Sequence, residues 1–179
     1  AAAAAAAAAG TVLLPPNHEL EFAGHLVVYG DLGSAFGVLD ALRHADFEGT
    51  SLWRPVLVLV DKLMEEEDEQ ALRNGPKFDR VFFMMGTGQM NEDLKAARIQ
   101  TAEAVLITNA SAKHNIEYQG FELGLDGLNV MRYLRVAELM PPGMQNYCVE
   151  LSYKDTVAVL DATVQRRAEA EAAAAAEAE

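Results

Sequence analysis

Residues 81–109 read VFFMMGTGQMNEDLKAARIQTAEAVLITN. Five apolar residues from Val81 run into Gly86-Thr87-Gly88, a short amphipathic stretch follows, and a second apolar run from Ala104 ends at Asn109. This is a βαβ unit with short parts. Apolar runs without alternation are what strands buried on both faces show, and parallel strands need a crossover between them. The reading therefore puts the chain in the α/β class, with any ligand crevice at the C-terminal ends of the strands.

Working outward, the same grammar repeats. HLVVYG at residues 25–30 stops at a glycine, and Ala35, Val38, Leu39 and Leu42 then recur at helical spacing, with Ser34 as a candidate cap. Pro55 introduces VLVLV at Val56–Val60, the clearest central strand. A carboxylate run at residues 65–69 reads as the solvated start of a helix that ends near Asn74-Gly75-Pro76. Asn91 is placed to cap the helix carrying Leu94, Ala97 and Ile99. Residues 110–126 are weakly patterned and read as a long loop. Asp126 is then expected to cap a helix over residues 127–140, followed by a strand at 146–151 and a helix at 154–167. With right-handed crossovers, the expected fold is a Rossmann-like doubly wound parallel sheet of about five strands with helices on both faces.

The two ends differ in kind. Residues 1–10 form a low-complexity or placeholder alanine segment, and residues 168–179 contain only alanine and glutamate. Residues 11–167 carry the single expected domain, enough for a sizeable core. The net charge of −13 argues against binding nucleic acid or an anionic membrane through a basic patch. No apolar run is long enough to insert in a membrane. Cys148 is the sole cysteine, so an intrachain disulfide and a cysteine-based zinc site are both excluded. Inside an expected strand its thiol reads as a small buried hydrophobe, which suits a reducing compartment.

The natural place to test for a nucleotide is Gly30-Asp31-Leu32-Gly33-Ser34-Ala35. A dinucleotide fingerprint, G-x-G-x-x-G, needs its central glycine for close approach to pyrophosphate and its last for helix–strand packing. Counting from Gly30, those positions hold Leu32 and Ala35. Gly30, Asp31, Gly33 and Asp61, the last at the place of a ribose-binding acid, are the candidate crevice residues, and NAD is not expected there. Calcium stays open through Asp31, Asp61, Glu65 and Glu117, although no EF-hand spacing is present. The four histidines are scattered with no zinc spacing, and His25 reads as a packing residue. Neither a Walker loop nor a G-x-S-x-G elbow occurs, so no catalytic residue is assigned.

Three stretches together resemble an RCK domain (regulator of potassium conductance), and most nearly the first such domain of BK, or Slo, calcium-activated potassium channels. They are HLVVYG, NEDLKAARIQTAEAVLITN and DGLNVMRYLRV, the last including Asp126 with Asn129-Val130-Met131-Arg132. The resemblance runs from residue 25 to about residue 167. It implies a cytoplasmic, non-catalytic regulatory module that pairs with other RCK domains through helices, and whose ring changes shape on ligand binding to open a pore. It also implies that the broken glycine motif belongs to the BK-like branch. Two alternatives stand beside it: an RCK-derived scaffold within a larger assembly, and a nucleotide-dependent oxidoreductase. The imperfect fingerprint disfavours the last.

Overall fold

A computed structural model describes residues 12–14, 20, 23–30, 32–46, 54–60, 80–86, 90–108, 122–140, 146–152 and 154–177. In chain order the elements are β1 (Val12–Leu14), β2 (Leu26–Tyr29), α1 (Leu32–Asp46), β3 (Val56–Val60), β4 (Val81–Met85) and α2 (Asn91–Ala96). A 3₁₀ turn (Ile99–Thr101), β5 (Ala104–Ile107), α3 (Glu122–Leu139), β6 (Tyr147–Val149) and α4 (Lys154–Glu177) complete them. The helix expected near residues 65–74 lies outside the described residues.

All pairings are parallel, and the six-stranded order is β1-β4-β3-β2-β5-β6. The five expected strands are present, and β1 adds a short sixth on the outer edge of β4. The order reverses at β2, which pairs with β3 on one side and β5 on the other. That reversal makes the gap between β2 and β5 the topological switch point of the sheet.

Two apolar layers follow from the two-residue period of the strands. Val27, Tyr29, Leu57, Leu59, Phe82 and Met84 point to one face, where Leu94, Ala97 and Ile99 of the α2 segment and Val136 and Met140 at the end of α3 cover them. Val28, Val56, Val58 and Phe83 point to the other, under Ala35 and Leu39 of α1. Every residue of β3 is buried, as its unbroken apolar run requires.

Three helix starts differ from the sequence expectation. Helix α1 begins at Leu32, ahead of Ser34. At α2, Asn91 is the first helical residue, and the capping position is Met90, with no side-chain cap. Helix α3 begins at Glu122, so Asp126 lies inside it; its carboxylate accepts the Ser152 backbone N–H at 2.9 and 3.1 Å instead. Cys148 also departs from expectation. It lies in β6, which has a single partner strand among the described residues, and it is exposed. A strand at the free edge of a sheet buries less than a central one.

His25 is fully buried at the start of β2, where Nε2–H donates to the Ala97 carbonyl at 2.9 Å. Below it the chain is tied to the α2 turn twice more. The Gly24 N–H donates to the Thr101 carbonyl at 2.8 Å, and Arg98 Nη1 donates to the Leu20 carbonyl at 2.9 Å. Arg98 makes the last of these contacts from a left-handed backbone conformation, φ 49°.

Candidate ligand crevice

Gly30 ends β2 at the switch point and is buried. Across the gap, Thr108 follows β5. Its backbone N–H donates to the Tyr29 carbonyl at 2.7 Å, and its hydroxyl donates to the same oxygen at 3.1 Å. A Cβ built on residue 30 would land on the Thr108 hydroxyl. The absent side chain of Gly30 is thus taken up inside the protein. Gly33 is exposed in the first turn of α1. Asp31 and Asp61 lie outside the described residues, as do Glu65 and Glu117. Among the described residues no cluster of His, Cys, Asp or Glu could hold a metal ion.

A second group of residues meets at the same end of the sheet, on the α3 side. Tyr29, Ile107 and Val149 share one register level as the last residues of their strands. The Tyr29 ring reaches across the sheet, and its hydroxyl donates to the Gly86 carbonyl, beyond β4, at 3.3 Å. Above that ring lies the Arg132 guanidinium, its carbon 4.2 Å from the ring centre. Arg132 Nη1 donates to Asn129 Oδ1 at 3.2 Å, and Asn129 Nδ2 donates to the Glu150 carbonyl at 3.1 Å. Asp126, Asn129 and Arg132 therefore form a buried polar stripe along α3. It joins the helix to the exits of β6 and β2.

Gly30 and Thr108 meet across the sheet although far apart in sequence, and Tyr29 and Arg132 do the same. None of Thr108, Tyr29 and Arg132 was a candidate from sequence. The available signal was three polar residues, Asp126, Asn129 and Arg132, at helical spacing on the face that continues into buried Val136 and Met140.

The model of the calcium-activated potassium channel slowpoke-like RCK domain matches residues 21–165. The chain belongs to this RCK family. Among solved structures, the RCK-family chain is similar in fold to the GsuK channel bound to NAD, with a TM-score of 0.53 at 14% identity over 82% of this chain and 21% of that one. The GsuK RCK domain aligns at 15% identity over 70% of this chain and 22% of that one, with a TM-score of 0.45. The chain thus spans about a fifth of the length of these structures. No curated protein matches. The first likeness agrees with the Rossmann-like parallel sheet. No described helix is long and apolar enough to cross a membrane.

Proposed function

We propose that this chain is a non-catalytic regulatory domain on the cytoplasmic side of a calcium-activated, BK-type potassium channel, coupling ligand binding or partner association to gating. The observation that carries the reading is the slowpoke-like RCK match across residues 21–165. Like domains pair through α3 and α4, and a change in their packing is passed to the pore. Exposed apolar side chains on these helices support this. Met131 and Leu128 on α3 and Val157, Val159 and Val164 on α4 lie open to solvent, Val159 at 60% exposure. Burying such positions against a partner gains about 25 cal/mol per Å² of apolar surface.

Two observations argue against a pyrophosphate in the crevice. Thr108 fills the space beside Gly30, and Leu32 stands where the fingerprint has its central glycine. The NAD held by the GsuK channel is accordingly not carried over to this chain, and calcium is the ligand proposed. Calorimetric titration with calcium, NAD(H) and ATP tests the assignment. Heat on calcium addition alone is expected; micromolar or tighter nucleotide binding with no calcium response would overturn it.

A further inference from the structure

We propose that Arg132 is the receptor for a small oxyanion, a phosphate or carboxylate group, at the C-terminal end of β2. The starting observation is an unbalanced charge. Arg132 is only 9% exposed, and among the described residues its polar contact is a single hydrogen bond from Nη1 to the neutral amide of Asn129. Its Nε–H is sealed in the interior and meets no acceptor among the described residues. The Tyr29 ring offers a π face, 4.2 Å from the guanidinium carbon, but no counter-charge.

Two exposed arginines of the same chain are paired with acids. Arg135, one turn further along α3, pairs with Glu138 at 3.0 Å, and Arg54 pairs with Glu103. Among the described residues the buried guanidinium has no such partner. Asp126, six residues earlier on α3, accepts the Ser152 N–H with both carboxylate oxygens. Burying a cation without an anion is costly, and taking one partner from a buried pair more so than replacing the pair.

The geometry left over is specific. With Nη1 engaged, Nε–H and the adjacent Nη2–H form the side-on fork that donates to two oxygens of a carboxylate or phosphate. An oxygen reaching Nε replaces protein atoms that now shield it, so the ligand is small and its entry shifts α3 locally against the end of β2. Diffuse attraction cannot supply this binding, because the chain carries a net charge of −13. The site is separate from the Gly30–Thr108 contact and does not depend on how the domain assembles.

The test is thermal unfolding of the purified chain with inorganic phosphate or acetate against sodium chloride at matched ionic strength. At a tenfold excess over Kd, wild type should gain about 3–5 °C over the chloride control. Arg132→Gln should show only the general stabilisation by excluded salts, and Arg132→Lys, which keeps the charge but loses the fork, an intermediate gain. Equal gains in wild type and Arg132→Gln overturn the proposal. Should the variants fail to fold, the Arg132 Nε–H resonance of the wild-type chain decides. A saturable shift with either anion supports the site, and the anion giving it names the oxyanion; a resonance that moves with neither overturns it.

Discussion

The hydroxyl of Thr108 occupies the place where a side chain on residue 30 would begin. In a fold whose glycines are usually read as making room for a nucleotide, Gly30 makes room for a threonine. The same hydroxyl donates to the Tyr29 carbonyl at 3.1 Å, so the contact fastens β5 to β2 at the switch point.

Gly30→Ala should therefore destabilise the chain by about 1–3 kcal/mol through overpacking. In a Thr108→Ala background the added methyl meets no hydroxyl. The double variant should be more stable than the sum of the single costs allows, with a coupling of about 1 kcal/mol or more. Urea unfolding of the four proteins of the cycle measures this. Additive costs would mean that the two residues do not compete for the space.

Stability should fall on mild acidification because of His25. Burial lowers its pKa below the ordinary value of 6.5, partly opposed by the hydrogen bond to Ala97 and aided by the nearby Arg98 charge. Above 6.5 the ring is neutral whether folded or unfolded, and it contributes no pH dependence. As pH drops through 6.5 the unfolded chain takes up a proton that the native one resists, so stability is lost until the lower native pKa is reached. Melting curves from pH 7.5 to 5 should show a steeper loss for wild type than for His25→Gln, which keeps a donor for the Ala97 carbonyl. Identical slopes would remove His25 as the cause.

Arg98 separates backbone strain from side-chain anchoring. Its left-handed conformation, φ 49°, costs a non-glycine residue about 1–2 kcal/mol. Its side chain returns a hydrogen bond to the Leu20 carbonyl. Both Arg98→Ala and Arg98→Gly lose that bond, but only glycine relieves the backbone. The glycine variant should be the more stable of the two by about 1 kcal/mol, read from chemical denaturation. Equal stabilities would show that the turn is unstrained.

The core strands were legible because continuous apolar runs bounded by glycine, proline or asparagine have few other readings. Val12–Leu14 is not legible in the sequence, since a three-residue strand beside Pro15-Pro16 carries too little pattern. The start of α3 differs from its sequence expectation for another reason. Asp126 has the residue type of a cap, but its carboxylate accepts from Ser152, 26 positions away, and local grammar does not register such a bond. Cys148 illustrates the same gap, because strand identity was readable and edge position was not. The site follows this rule most strongly. Tyr29 and Arg132 are joined only by the sheet order, so the candidate residues drawn from the glycine motif included Gly30 but neither of these.

Assembly through α3 and α4 is the central claim, and sedimentation equilibrium of wild type against Met131→Asp tests it most directly. Met131 is 53% exposed, so the substitution should leave the fold intact. Expected is reversible self-association of wild type that Met131→Asp weakens at least tenfold, about 1.4 kcal/mol. A wild-type chain that stays monomeric at hundreds of micromolar, or a variant that associates equally well, would contradict it.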